Sequence, residues 1–245
     1  MAQTSILYGR FNLNIQFLHK PPSGGFFYEG NNMSVKLPNG AIVSIASERG
    51  EAINFTAITN ANPAVATATG HGLSKGDIVS VTSGWNRIND KVVRIGTPET
   101  DTFELEGIDT TDTSAYPAGS GTGSVKKVSE WTQIQQITNV ETSGGEMQFA
   151  TYSFLENDYE SQIPTQSSAQ SLTLTIADDA SLPGYKVLKE ASEKRAAVPI
   201  RITLPDGSVI LYNGYVSFNE TPTMTKGEIM AVSATISLLT RPVRY

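Results

Sequence analysis

Residues 198–239 constrain the fold more than any other stretch. They read VPIRITLPDGSVILYNGYVSFNETPTMTKGEIMAVSATISLL. Ile200, Ile202 and Leu204 alternate with Arg201 and Thr203, the period of a strand with one buried face. Pro205-Asp206-Gly207 breaks that period, with proline presetting the first turn position and glycine accepting a positive φ. Val209 and Leu211 resume the buried face on the return. After a polar loop, 219–227, Val232, Ala234, Ile236 and Leu238 alternate with Ser233, Thr235 and Ser237. This is the pattern of an antiparallel meander, and nothing in it resembles catalytic machinery.

A second clean strand, Leu172, Leu174 and Ile176 alternating with Thr173 and Thr175, precedes the one stretch with helical character, residues 178–197. There Ser181 is expected to cap and Pro183 to suit the first turn. Leu182, Tyr185, Leu188 and Ala191 form the apolar stripe that should pack on the sheet. Asp178 and Asp179 precede the positive end of the dipole, and Lys194 and Arg195 follow at the negative end.

The order of these features is a helix, RITLPDGSV, YNGYVSF, a TMTKGE loop and a closing strand that runs to TRP. It resembles the C-terminal half of the major tail tube protein of long non-contractile-tailed, lambda-type bacteriophages. The resemblance spans roughly residues 40–55 and 129–242. It implies a virion structural subunit, assembled in the bacterial cytoplasm, whose hexameric rings stack into a tube. Tape measure protein would occupy the lumen during assembly, DNA would pass on ejection without specific binding, and tail terminator and tail-tip proteins would be further partners. The resemblance also implies that a loop at 155–171 stacks one ring on the next. Its candidate contact residues are Glu156, Asp158, Tyr159, Glu160 and Pro164. By its own composition this stretch reads as a long polar loop, of a length that in a compact domain is functional or disordered.

Between the tube-like segments lies a different texture. Residues 58–127 carry their own short strands and turns: HGLSKGDIVSV, WNRINDKVVRI, TDTFEL and a late GTGSV. This pattern is similar to an insertion module of phage structural proteins, itself similar to a half-domain of ubiquitin-activating enzymes. With no cysteine in the chain, thioester chemistry is excluded and the likeness is one of fold. Residues 54–58 and 124–128 are expected to pair as neighbouring strands, so that the module begins and ends at one place. The organisation expected is therefore all-β: an arm at 1–39, a discontinuous sandwich- or barrel-like tube domain at 40–57 and 128–245 with one short helix, and a small barrel-like insertion at 58–127. The lambda-type relatives carry an additional C-terminal domain, whereas here the extra domain is expected to be internal. The arm alternates at Phe11, Leu13, Ile15 and Phe17, breaks at Pro21-Pro22, and either docks on a neighbouring subunit or adds an edge strand to its own. Residues 131–140 read as one strand with a bulge near Gln135-Gln136.

Charge and composition narrow the functional classes. The net charge is −6 with a pI near 5.0, which disfavours a chain that grips nucleic acid through counterion release. The absence of cysteine removes disulfides and thiolate metal sites. The N-terminal residues lack the basic and apolar regions of a secretory signal, and no apolar run reaches membrane-spanning length.

No constellation points to chemistry, so no catalytic, cofactor or metal residue is assigned. His19 and His71 have no ligand or triad spacing around them. The run Gly119-Ser120-Gly121-Thr122-Gly123 leads into a strand-like segment and not a helix, so it reads as a connection and not a phosphate cradle. Asp101, Asp109 and Asp112 lack EF-hand spacing and read as a solvated loop face. Trp85 and Tyr116 either present a binding surface on the insertion or plug its core, and the area a small core needs favours the second.

Two strand faces of small hydroxyls stand out: Thr173 and Thr175 on one strand, Ser233, Thr235 and Ser237 on the other. An ordinary wet strand face carries long charged side chains. At least one of these faces is a candidate lumen lining. The competing function is a receptor- or carbohydrate-binding protein of the tail tip or particle surface, with Trp85 and Tyr116 as its first contacts.

Overall fold

The structure, a computed structural model, describes residues 38–245; the expected arm at 1–39 falls almost wholly outside the described residues. Fifteen strands and one helix follow in order among the described residues. The strands are β1 (Ile42–Phe55), β2 (Ala57–Ile58), β3 (Ala64–Thr67), β4 (Ile78–Ser83), β5 (Val92–Pro98), β6 (Thr102–Leu105), β7 (Gly123–Ile134), β8 (Ile137–Ser143), β9 (Met147–Tyr152) and β10 (Ser161–Ser167). Then come β11 (Ser171–Ala177), helix α1 (Pro183–Lys194), β12 (Ala197–Thr203), β13 (Val209–Thr223), β14 (Ala231–Leu238) and β15 (Val243–Arg244). The protein is all-β with one short helix, as its sequence periodicities require.

Thirteen strands form one antiparallel sheet in the order β2-β3-β6-β5-β4-β7-β1-β12-β13-β14-β11-β8, with β15 beside β13. The sheet must curl. β7 ends at Ile134 and β8 starts at Ile137, yet five strands lie between them in the sheet. A flat sheet would separate them by about 29 Å at roughly 4.8 Å per strand. Three Cα steps of about 3.8 Å span far less. The result is a curled half-barrel. The expected single strand at 131–140 is thus corrected: Gln136, at φ 58°, is the break between two strands, and not a bulge within one.

The concave face holds the core of the C-terminal half. Val43, Ile45, Ile200, Ile202, Val216, Ile236, Leu172 and Leu174 converge there on Leu188 and Ala191 of α1. The helix comes close to β7 because residue 184 is glycine: a Cβ there would lie 2.7 Å from the Gln133 carbonyl oxygen. Its start differs from expectation. Leu182 is the N-cap, without a side-chain bond, and Pro183 opens the helix. Ser181 instead donates its hydroxyl to Asp179 at 2.6 Å in the preceding turn. Lys194 closes the helix beside Glu190, and Arg195 adopts the left-handed conformation that ends it.

A second apolar cluster fills the region between β2 and β7, from Phe55 through Ala66, Trp85, Ile95 and Phe103 to Val125. Strands β1 and β7 run through both clusters. Asn54 lies opposite Ser124, and Val43 opposite Ile134, with irregularities between Ala46 and Ala52 where the pair bends. The segment ending in Tyr245 straps the two halves together. β15 pairs with Ile210 and Leu211 of β13, while the Tyr245 hydroxyl accepts from the Arg94 backbone N–H at 2.9 Å and donates to the Glu106 carbonyl at 2.8 Å. The Arg94 guanidinium stacks 4.3 Å from the Tyr245 ring and pairs twice with Glu106, at 2.6 and 2.7 Å. Nearby, Asn213 donates to the Asp90 carbonyl at 2.7 Å.

Candidate functional site

Three surfaces carry the residues that the sequence singles out. The first is the polar face of the sheet opposite the helix. Cross-strand partners share a face in an antiparallel ladder. Thr173 lies opposite Thr235 and Thr175 opposite Ser233; Ser171 lies opposite Ser237. The two hydroxyl faces therefore form one surface, which the sequence had left as two alternatives. It extends to β8 through Glu141, Asn139 and Ser143, and to β13 through Ser217, Asn219 and Tyr215. None of these positions is lysine or arginine, and Glu141 is the single carboxylate among them. Closer to β1 the same side of the sheet changes character: Arg201 stacks over Trp131 at 4.6 Å, and Leu211 and Asn213 are buried. Burial lowers the Arg201 pKa, and its Nε has no partner among the described residues.

The second surface corrects the expected loop at 155–171. Its Ser161–Ser167 portion is strand. β9 and β10 form a two-stranded sheet of their own, with Ser161 opposite Tyr152 and Pro164 opposite Phe149. Pro164 is thus a strand residue, whereas Glu156, Asp158, Tyr159 and Glu160 sit at the exposed tip. The polar composition hid β10 because neither of its faces is buried, and so no one-sided alternation exists to read. Met147, Phe149, Tyr152, Phe154, Leu155, Tyr159 and Ile163 are all exposed. The register puts Phe149 with Pro164 on one face, and Tyr152 and Ile163 on the other. An isolated hairpin is marginal in water, and one that is apolar on both faces is complete only when covered on both. Met224, Ile229 and Met230, on the loop between β13 and β14, make a second exposed apolar protrusion.

At the third place, Trp85 and Tyr116, the structure shows burial, the reading that core area favoured, and not an exposed binding surface. Trp85 is 2% and Tyr116 8% exposed. Their rings meet edge to face at 5.3 Å, and the indole N–H donates to the Pro117 carbonyl at 2.9 Å. They plug the core, because a module of this size must spend its aromatic area on itself. The histidine reading follows the same logic: His71 is buried against Phe103, with its ring nitrogens engaged by the Glu99 and Thr102 carbonyls and the Leu73 N–H. His19 lies outside the described residues. Asp109 and Asp112 do not converge; each bonds the backbone and hydroxyl of the residue two ahead, Thr111 or Ser114, and those bonds lower both carboxyl pKa values.

Among the described residues β8 pairs on one side only, the adjoining polar sheet face carries no cation, and the β9–β10 hairpin exposes apolar side chains on both faces. Residues 83–245 match the family described as phage tail tube protein (TTP), and the chain belongs to that family. The match begins at the end of β4 and so includes β5 to β7. The protein is accordingly a structural component of a phage tail and of the virion. Among solved structures, it is similar to a chain in the cryo-EM structure of the anti-feeding prophage (AFP) baseplate, 6-fold symmetrised. The identity is 11% and the TM-score 0.35, over 47% of this chain and 84% of that one. No curated protein matches it.

Proposed function

We propose that the protein is the ring-forming subunit of a lambda-type tail tube, and that the continuous polar face of β8, β11, β14 and β13 lines the lumen. The observation that carries this is the composition of that face: Thr173, Thr175, Ser233, Thr235 and Ser237 lie side by side and no cation stands among their cross-strand partners. Each lysine or arginine offered to phosphate would add counterion-release binding and a place for DNA to pause. Short neutral hydroxyls and a lone carboxylate let DNA pass. The edge of β8, open among the described residues, supports ring closure, since joining strands into a barrel removes exposed edges. Six subunits per ring, tape measure protein in the lumen, terminator and tip proteins at the ends, assembly in the bacterial cytoplasm and docking of the 1–39 arm complete the reading. The module at 58–127, similar in pattern to a ubiquitin-activating-enzyme half-domain, would decorate the tube.

The test is Thr173→Lys and Thr235→Lys, made separately. Both should assemble into tubes seen by electron microscopy, and at least one should slow DNA ejection, with the delay relieved by salt. Wild-type ejection rates for both in low salt would overturn the lumen assignment, and a wild-type protein that forms no rings or tubes would overturn the subunit reading.

A further inference from the structure

The hairpin of β9 and β10 has a strong charge bias. From Lys127 to Lys186 the chain contains no lysine or arginine between those two residues, and the hairpin tip carries Glu156, Asp158 and Glu160 among Phe154, Leu155 and Tyr159. The complementary charge lies elsewhere. A cleft of about 590 Å³ opens between the β4–β5 loop and the segment after β14, walled by Arg87, Lys91, Arg241, Tyr116 and Leu239. None of its three cations forms an ion pair among the described residues, whose pairs are Arg94–Glu106, Lys127–Asp77, Lys189–Glu220 and Lys194–Glu190. Asp112 is near enough to Arg87 to feel its charge, but its oxygens serve Ser114. Lys91 is half-buried, and burial first, then Arg241, lowers its pKa. A buried cation facing another cation is stabilised by an anion from outside.

Geometry says whose anion. Arg241 donates to the Ser167 hydroxyl at 2.9 Å, so the cleft adjoins the base of the hairpin. Six residue steps lead from Ser167 to Ser161, about 20 Å at roughly 3.3 Å per step, and the tip lies beyond. A paired hairpin cannot fold back to fill the cleft at its own base. Resting on the tube reading, we propose that the acidic tip of one copy docks into the Arg87–Lys91–Arg241 cleft of the copy in the next ring, with exposed Leu239 receiving Leu155. Tip and cleft are different surfaces of one chain, so the contact is heterologous and propagates in one direction instead of closing on itself. The hairpin length sets the step between copies.

The experiment is a reciprocal charge swap in the full chain. Glu156→Lys with Asp158→Lys and Glu160→Lys should give single rings that do not stack, as should Arg87→Glu with Lys91→Glu and Arg241→Glu. The two sets combined should restore tubes. Electron microscopy and sedimentation read the outcome, and circular dichroism melting confirms that each variant is folded. Lys91→Gln alone is the second variant, which leaves the other two cations of the cleft in place and is expected to stack only at lower salt than wild type. The docking is overturned if either folded swap makes tubes as wild type does, if the combined swap does not restore them, if rings themselves fail to form, or if Lys91→Gln stacks with wild-type salt dependence. Wild-type protein that makes no tubes would defeat the tube reading itself, a result distinct from all of these.

Discussion

The β2–β7 region and the β9–β10 hairpin are both rich in aromatic and aliphatic side chains, and they use them in opposite ways. In the β2–β7 region Trp85, Tyr116 and Phe103 turn inward and are almost wholly buried. In the hairpin Phe149, Phe154, Tyr159 and Ile163 are more than half exposed. The first region satisfies its hydrophobic groups within the chain. The second leaves them uncovered among the described residues. Equal hydrophobicity along a sequence thus says little about which side chains serve stability and which serve assembly.

The comparison is broken most directly by truncating one aromatic in each region. Trp85→Ala removes a buried indole and should cost about 3–5 kcal/mol of subunit stability. Phe149→Ala should change stability by less than about 0.5 kcal/mol, as an exposed site does, yet weaken assembly. Thermal melts and sedimentation of the two variants side by side test this. Equal melting losses would show that the hairpin belongs to the subunit core.

A second contrast lies between hairpins. The turn at Gly207 has φ 84° and open space around it, so a side chain there meets backbone strain and no clash. Gly207→Val should cost roughly 1–2 kcal/mol, and an unchanged melting curve would contradict a strained turn. Replacing residues 153–160 with a short Gly-Ser turn should leave the melt unchanged and stop tube growth.

The seam between module and sheet sharpens the picture further. Tyr245→Phe removes a hydroxyl that both accepts and donates between the halves, and should cost about 1 kcal/mol. Hydrogen exchange should then rise in β5 and β6 before it rises around α1. Uniform loosening would mean that the halves do not open separately.

The smallest effect expected is pH-dependent. The Arg94 hydrogen bond, opposed by slight burial and aided by Arg94's charge, lowers the Glu106 pKa. A carboxylate held below its unfolded value stabilises the fold above that value, near pH 4.3, and the contribution fades as pH falls through the folded pKa. Side-chain exposures of 34% and 38% keep the pair screened, so its worth stays under about 1 kcal/mol. Wild type should exceed Glu106→Gln in melting temperature at pH 7 and lose that margin below about pH 4. A margin that grows on acidification would reverse the sign.

Sequence periodicity by itself determined the strands of the C-terminal sheet. Leu172, Leu174 and Ile176, and Val232, Ala234 and Ile236, each alternate because one face is buried, and burial of one face is written directly into composition. The same holds for the apolar stripe of α1. Strand β10 escaped it: both its faces are uncovered among the described residues, so no alternation marked it, and Pro164 argued against a strand. For Trp85 and Tyr116 the area a small core needs already favoured burial, and the structure shows both rings buried. Only tertiary structure decided that Thr173 and Thr235 lie opposite one another on one surface, because strand neighbours are set by long-range pairing that local sequence does not encode. It also decided that Arg87 and Lys91, from the loop between β4 and β5, meet Arg241, which follows β14, in one cleft. Charge along a chain is fixed by residue order, but an electrostatic site is fixed by which distant segments the fold brings within a few ångströms.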